Sequence, residues 1–158
     1  MMLTSWLHLL ALAAYLGAVA GLWAIVLPSF SVVKSHEARL KLLGRSLKFY
    51  NPMQSGALGL LVISGAIQVT DLKAAYRELF MKEFGATLGL KLLLAFVLIL
   101  VSVYQSMAVA HRFVRRYEGG ESFTAQELES VAKRLGSSTL SLLLLSAVTA
   151  WMGTQLRR

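Results

Sequence analysis

The chain has 158 residues, 56% of them hydrophobic and 15% charged, with a mean hydropathy of +0.63 and a net charge of +8. This apolar share excludes an ordinary soluble domain, and the length allows one integral membrane domain covering residues 1–158. The absence of cysteine excludes disulfides, thiolate metal sites and iron–sulfur clusters. The positive charge indicates contact with anionic lipid head groups and not with nucleic acid, because no basic region accompanies a docking motif.

Four apolar stretches without acidic residues are long enough to cross a hydrocarbon core of about 30 Å, which takes about 20 helical residues. They cover residues 4–29, 52–70, 85–110 and 136–154. Because lipid offers the backbone no hydrogen-bond partner, runs of this length predict helices and not barrel strands. We therefore expect an all-α four-transmembrane-helix bundle, with Asn51 capping the second span and Pro52 at its first helical position.

Basic residues are distributed unequally among the predicted loops. Ten Lys and Arg residues lie in the first and third loops, whereas five lie in the second loop and the C-terminal tail. Because cytoplasmic loops carry the excess of Lys and Arg, we expect loops one and three in the cytoplasm and both termini outside. With no targeting signal in the sequence, the expected location is the inner (cytoplasmic) membrane of a prokaryote.

The second loop carries an apolar periodicity of its own. Its apolar residues recur with helical spacing and the charged residues fall between them; the apolar set is Leu72, Ala75, Tyr76, Leu79, Phe80 and Phe84. Thr70 and Asp71 offer capping oxygens just before this run. The pattern predicts a short amphipathic helix on the outer surface between spans 2 and 3.

The third loop contains a turn signal followed by a helix start. Gly119 and Gly120 stand between two glutamates and predict the turn. Thr124 and Glu127 have the spacing of a capping box. The fourth helix is therefore expected to begin in the cytoplasm, well before its apolar stretch.

Lys91 is the only formally charged residue in the four predicted spans. An ammonium at the centre of a membrane costs about 2.5–3.5 kcal/mol on insertion scales, so its presence needs a reason. One interpretation is that Lys91 snorkels to the outer interface, about 9 Å away along the helix axis. The alternative is an inward orientation, because Ala95, Ser102 and Gln105 follow on the same helical face and suit a bundle interior.

His8 lies near the start of the first span, at the depth of Lys91, because spans one and three both begin outside. Its helical face continues through Ala11 and Tyr15. It is either a hydrogen-bonded interfacial histidine or a ligand, since neutral imidazole is a good axial ligand for haem iron and a deprotonated lysine can supply the other. The candidate cofactor-binding residues are His8, Lys91 and Tyr15, with His8 and Lys91 as the ligands of haem iron.

The two other histidines and a glycine pattern are weaker candidates for a functional site. His111 closes the third span about 30 Å from Lys91, and His36 lies in the first loop, so we interpret both as interfacial. Gly17 and Gly21 form a GxxxG pattern that permits a close approach of another helix. The sequence contains no nucleophile–base pair, paired carboxylates or phosphate-binding glycine loop.

Short motifs occur through the first 110 residues: Trp6-Leu7-His8-Leu9-Leu10, Tyr15-Leu16-Gly17, Leu27-Pro28, then Arg39, Arg45 and Phe49 ahead of Pro52, Ser64-Gly65, and Gly89-Leu90-Lys91-Leu92-Leu93. In these motifs the chain resembles the superfamily that contains the copper-resistance D (CopD-like) membrane domains and the HemJ-type protoporphyrinogen oxidases. In the HemJ-type enzymes a histidine of the first helix and a lysine of a later helix are associated with haem b. The resemblance therefore implies haem b at His8 and Lys91.

One element of the HemJ-type enzymes has no counterpart in this chain. Their acidic Asn-Glu-x-Pro sequence before the last helix is replaced by Arg134-Leu135-Gly136-Ser137-Ser138. The difference favours a less specialised relative over a protoporphyrinogen oxidase.

Three functions are open at this point. The first is a haem b-binding membrane protein that passes electrons near the outer face, to quinone or a respiratory complex, either as an oxidoreductase or as a redox subunit. The second, also implied by the resemblance, is copper transport or resistance, since thioether and imidazole suit Cu(I); the residues near the outer surface are His8, Met1, Met2, Met81 and Met152. The third is a non-catalytic subunit that packs through its GxxxG surface in a homo- or hetero-oligomer.

Overall fold

The described part of the protein is helical, with short turns before His36 and before Ala125. A computed structural model of the chain describes the backbone of residues 2–75 and 85–155 and the side chains of residues 3–71 and 89–152. In chain order the α-helices are α1 (Met2–Gly21), α2 (Leu27–Val32), α3 (His36–Ala75), α4 (Gly85–Val103), α5 (Arg112–Glu118) and α6 (Ala125–Gln155). Two π-helical segments, Leu22–Val26 and Tyr104–His111, join α1 to α2 and α4 to α5.

Four continuous helical rods result, and each is long and apolar enough to cross a membrane. They are Leu3–Val32, His36–Asp71, Gly89–Glu118 and Ala125–Met152, called spans 1 to 4 below. Large apolar side chains are exposed along their outer surfaces, as at Leu3, Ile25 and Leu93. Such a surface fits lipid and not water. The chain is a multi-pass membrane protein, and the predicted all-α four-helix bundle is confirmed.

The π-helical turn in span 1 accompanies Pro28. Proline lacks a backbone N–H, and its ring clashes with the carbonyl group four residues earlier, here that of Ala24. The wider turn over Leu22–Val26 absorbs this misfit, and the helix continues as α2. Span 1 therefore extends beyond residue 29, where the apolar stretch in the sequence ends.

Span 2 begins earlier than the sequence predicts. The helix α3 starts at His36 and runs through Pro52, which lies inside the helix and not at its first position. Asn51 is also helical, so its predicted role as an N-cap is wrong. Its Oδ1 instead accepts a hydrogen bond from the Oγ of Ser106 at 2.5 Å. Packing against neighbouring helices outweighs the local signal of the Asn-Pro pair.

The other end of α3 also differs from the prediction. The helix continues through Thr70 and Asp71 to Ala75, so these two residues do not cap a new helix. The Thr70 hydroxyl donates back to the carbonyl oxygen of Ala66 at 2.9 Å, as helical threonines often do. The rest of the predicted surface helix, residues 76–84, lies outside the described residues.

Successive spans run antiparallel. His8 of span 1 meets Ser64 of span 2, and nearer the N-terminus Gln68 donates to the carbonyl oxygen of Thr4 at 3.3 Å. The end of the bundle that carries these contacts is called the terminal end, and the opposite end, with the turns before α3 and α6, is the loop end. Span 1 packs mainly on span 2, and span 3 mainly on span 4.

The turn before α6 follows the predicted pattern. Gly120 has a φ of +72°, and its N–H donates to the carbonyl oxygen of Tyr117 at 3.2 Å, which closes the end of α5. The Thr124 N–H donates to Glu127 Oε2 at 2.8 Å, and the Glu127 N–H donates to Thr124 Oγ1 at 3.2 Å. The predicted capping box is confirmed.

The buried apolar core lies in the loop end and the middle of the bundle. The larger cluster is at the loop end and includes Phe30, Leu47, Phe113 and Leu135. A smaller cluster around Tyr15 occupies the middle. Both clusters join several spans, so most of the buried apolar core of the described bundle lies in its loop half and middle.

The terminal end is packed more loosely. Among the described side chains on the terminal side of Tyr15, the buried ones are Ala11, Ser64 and Ser146, which are all small. The helix α3 also packs more on the second π-helical segment and α5 than on α4, so spans 2 and 3 make less contact toward the terminal end. This is the end that carries His8 and Lys91.

Candidate functional site

The His8 imidazole lies against span 2 at the terminal end. Its Nδ1 is 2.9 Å from the Oγ of Ser64, and the side chain is half-buried. Gly65 lies beside the ring, since a Cβ at that position would be in ordinary contact with it, 3.5 Å from His8 Cε1 and 3.9 Å from Nδ1. The Nδ1–Cε1 edge of the ring therefore faces span 2, and a side chain much larger than alanine at residue 65 would displace it.

Ser64 is fully buried, and its hydroxyl group points back to its own helix. The Oγ donates to the carbonyl oxygen of Leu60 at 2.6 Å, and the carbonyl oxygen of Leu61 lies at 3.2 Å. Two oxygens this close need a proton between them, and the carbonyl group has none to give. Toward His8, the Oγ of Ser64 therefore presents lone pairs.

Lys91 is half-buried in the terminal part of span 3, within electrostatic range of the His8 imidazole. None of the four ion pairs among the described residues involves it. They lie at the loop end, where Arg39, Lys48 and Arg116 pair with glutamates. The structure thus brings the two predicted haem ligands to the same end of the bundle and gives Lys91 no carboxylate partner within its described part.

Tyr15, the third predicted cofactor residue, lies deeper than His8, in the middle of the bundle. It is 1% exposed, and its hydroxyl oxygen is 2.5 Å from the Oγ of Ser102 in span 3. Tyr15 is separated from His8 by two helical turns, about 10 Å along the axis, and its hydroxyl group is engaged by span 3.

Gln105 joins spans 2, 3 and 4. Its Oε1 accepts from the hydroxyl of Tyr50 at 3.0 Å and from Nε2 of Gln54 at 3.3 Å, and its Nε2 donates to Oγ1 of Thr139 at 2.6 Å. Together with the Tyr15–Ser102 pair these residues form an uncharged, buried set called the polar layer below; its members are Tyr15, Tyr50, Gln54, Ser102, Gln105 and Thr139. The polar layer connects all four spans.

A second group of polar side chains adjoins this layer on the loop side. The Oγ of Ser106 donates to Asn51 Oδ1 and lies 3.0 Å from the Oγ of Ser55. Ser106 and Gln105 are successive residues, and both are buried because they lie in the wider π-helical segment. The inward orientation that the sequence predicts for Ser102 and Gln105 is confirmed.

The other predicted features lie outside this interior. His36 and His111 are exposed at the loop end. A Cβ at Gly17 or Gly21 would meet nothing within 4 Å, so the GxxxG surface packs on no described helix of this chain. The close helix approach that this pattern permits is therefore not used within the described bundle.

The described part of the structure adds no support for copper binding. Within the described residues, no group of three or more His, Asp or Glu side chains could hold a metal ion. Besides His8, only Met152 of the predicted copper set has a described side chain. Copper binding therefore stays a prediction.

Comparison with known proteins identifies no relative. No family model, no curated protein and no solved structure matches this chain. The resemblance drawn from its motifs therefore stays a prediction, and the candidate site is defined by its own geometry.

Several residues of this interior are not among the candidates that the sequence predicts. Ser64 occurs there only within a motif, and Tyr50 precedes the predicted start of the second span at Pro52. Gln54 and Thr139 carried a usable signal, since an uncharged hydrogen-bonding side chain inside an apolar span tends to face another helix. Their partners depend on how the helices are rotated and staggered, which the sequence alone does not fix.

Proposed function

We propose that this protein binds haem b at the terminal end of the bundle, with His8 and Lys91 as axial ligands, and transfers electrons at that face of the membrane. The observation that carries the proposal is that a histidine and a lysine from two different spans lie at the same, loosely packed end of the bundle. Ionisable side chains inside a membrane bundle are costly and mark functional positions.

The nitrogen atoms of His8 and Lys91 are suitable ligands for haem. Ser64 occupies Nδ1 of His8, which leaves Nε2 as the atom for a metal, the arrangement usual for ligating histidines. Lys91 has no carboxylate partner in the described part of the chain, so no ion pair there occupies its nitrogen. Imidazole and amine nitrogens are both suitable axial ligands of haem iron.

The packing also fits. Two helices in close contact, with axes about 8–10 Å apart, leave no room for a porphyrin between them. On the terminal side of Tyr15 the described bundle buries only small side chains, and α3 packs less on α4 than on the rest of span 3. The looser packing that a flat ring would need is thus found at the end that carries His8 and Lys91.

A bound haem would supply one-electron chemistry between the ferrous and ferric states. His8 and Lys91 would hold and orient the group. The polar layer, on the loop side of these two residues, is uncharged. The proposed haem site is therefore confined to the terminal half of the bundle. We infer a redox partner at the same face, either a quinone or a larger respiratory complex. The basic loop end favours placing this face outside an inner membrane.

The test is the visible spectrum of the full chain purified in a membrane mimetic from haem-replete cells. We expect a b-type reduced-minus-oxidised spectrum that His8→Ala abolishes, because the imidazole is the stronger ligand. His36→Ala and His111→Ala are the matched controls and should keep the spectrum, since both residues are exposed at the loop end.

Copper and haem are to be measured on the same samples. An intact protein without haem, or a His8→Ala variant with the wild-type spectrum, would overturn the proposal. Bound copper in place of haem would support copper handling, and neither group would leave the chain as a non-catalytic subunit.

A further inference from the structure

The hydroxyl group of Ser64 has a single proton, and its position is fixed by the helix. The Oγ lies 2.6 Å from the carbonyl oxygen of Leu60, a distance that only a shared proton allows. The residue is 0% exposed, so no solvent water competes for this proton. The hydroxyl therefore donates along its own helix and can act only as an acceptor toward span 1.

The acceptor role of Ser64 decides which nitrogen of His8 carries hydrogen. A hydrogen bond of 2.9 Å between the Nδ1 of His8 and an accepting oxygen requires a proton on Nδ1. A neutral imidazole has one N–H, so Nε2 then carries the lone pair. In water, neutral histidine prefers the opposite tautomer, with its hydrogen on Nε2. Ser64 thus reverses the intrinsic preference.

We propose that Ser64 is a positioning residue that holds His8 as the Nδ1–H tautomer and so keeps the lone pair of Nε2 ready for a metal. The tautomer follows from the contacts of Ser64, beside which the backbone of Leu61 also acts on the ring, whereas its use for an axial bond rests on the proposed haem function. Gly65 lies beside the Nδ1–Cε1 edge of the ring, where a Cβ would be in ordinary contact with it. The imidazole is thereby fixed in both rotation and protonation before any ligand arrives.

The bundle offers a matched control for this inference. Ser146 is also buried at the terminal end, 4% exposed, but its Oγ has no hydrogen-bond partner among the described residues. Ser146→Ala removes the same atom from a comparable environment without touching His8. Ser64→Ala removes the acceptor, and Ser64→Thr restores a hydroxyl that can bond to the same carbonyl oxygen.

The deciding measurement is ¹⁵N NMR of the His8 ring in the full chain without haem. His36→Gln and His111→Gln, both at exposed positions, leave a single histidine signal. The sample is held well above the ordinary histidine pKa of about 6.5, so that the ring is neutral. We expect a pyrrole-type Nδ1 and a pyridine-type Nε2 in the parent chain, in Ser146→Ala and in Ser64→Thr. Ser64→Ala should shift the signals toward the Nε2–H form.

A parent chain with its hydrogen on Nε2 would overturn the inference without any need for a folded Ser64→Ala variant. An unchanged tautomer in a folded Ser64→Ala variant would overturn it as well. Haemin titration gives the second readout, with a loss of affinity of about 10- to 100-fold expected for Ser64→Ala and none for Ser146→Ala. An Nδ1–H ring in a chain that binds no haem would remove the proposed function and leave the positioning role of Ser64 intact.

Discussion

Tyr15 and Ser102 join spans 1 and 3 through a hydroxyl–hydroxyl contact of 2.5 Å in the buried middle of the bundle. These spans lie diagonally opposite, because each packs mainly on a sequence neighbour and not on the other. The contact therefore sets the distance across the diagonal just below the His8 and Lys91 site. If spans 1 and 3 spread apart at the terminal end, the Tyr15–Ser102 contact would be the point from which they diverge.

Replacing Tyr15 by phenylalanine tests the strength of this diagonal contact. Tyr15→Phe should lower the free energy of unfolding in detergent by about 1 kcal/mol, because the Ser102 hydroxyl loses a buried partner and interhelical hydrogen bonds in membranes have this size. Tyr104→Phe is the matched control, since Tyr104 is 52% exposed in the same span as Ser102. Equal stability of the two variants in denaturant titrations would contradict the prediction.

Replacing Gln105 should lower the free energy of unfolding more than replacing Tyr15, because three residues of the polar layer form hydrogen bonds with Gln105. Gln105→Met keeps the shape of the side chain but leaves the Tyr50 and Thr139 hydroxyl groups without their partner. We expect a loss of about 1–3 kcal/mol in the free energy of unfolding. In the Gln105→Met background, Tyr50→Phe should lower the free energy of unfolding by less than it does in the parent chain, because the two residues share a hydrogen bond. Additive effects in a double-mutant cycle would show that these contacts do not form.

Much of the fold could be predicted, because it depends on local signals. Apolar length defined the four spans, and the Thr124–Glu127 pair gave the start of α6 by its own capping chemistry. The start of α3 could not be predicted in this way. Asn51 and Pro52 read locally as a helix start, yet contacts of Asn51 with Ser106, more than fifty residues later, keep the helix continuous.

The site was predictable only in part for a related reason. Lys91 and His8 stand out as a charged and a titratable residue in apolar runs, and depth alone places them at one end of the bundle. Ser64 does not stand out, because its role comes from facing His8 across a helix interface. Facing pairs depend on helix rotation and stagger, and a single sequence carries no direct record of either.

Gly44 marks a close approach between α3 and α5 at which a side chain would displace the ring of Tyr117. A Cβ at this residue would lie 2.6 Å from Cε1 of Tyr117, so Gly44→Ala forces the ring to move. The expected cost of about 1–3 kcal/mol for overpacking exceeds the gain of about 1 kcal/mol in helix propensity. Gly59→Ala in the same helix meets nothing within 4 Å and should be neutral or stabilising. A thermal melt that ranks the two variants in the opposite order would contradict this.

The orientation in the membrane can be read by thiol labelling, since the chain has no cysteine of its own. Ser35→Cys and Ser122→Cys lie in the turns of the loop end, and Ala74→Cys lies at the opposite end of α3. In intact cells we expect an impermeant reagent to label residue 74 and to spare residues 35 and 122, because ten basic residues favour a cytoplasmic loop end. The reverse labelling pattern would place the His8 site on the cytoplasmic side.

Two substitutions of Lys91 can distinguish a structural role of this residue from a role as a haem ligand, because the two roles predict different results. Lys91→Leu and Lys91→Met both remove a charge from a half-buried position in span 3, and each should stabilise the haem-free chain or leave it unchanged. On the haem-loaded chain they should differ. Lys91→Leu offers no ligand and should give a five-coordinate spectrum with weaker haem retention.

Lys91→Met offers a thioether, so six-coordination should persist with a higher reduction potential, since methionine favours ferrous iron. Lys48→Met is the control, because Lys48 pairs with Glu118 at the exposed loop end and should leave spectrum and potential unchanged. The measurements are the visible spectrum and a redox titration of each variant. If Lys91→Leu keeps the parent spectrum, Lys91 is not a ligand, and its half-buried ammonium serves only to reach the head groups at the terminal end.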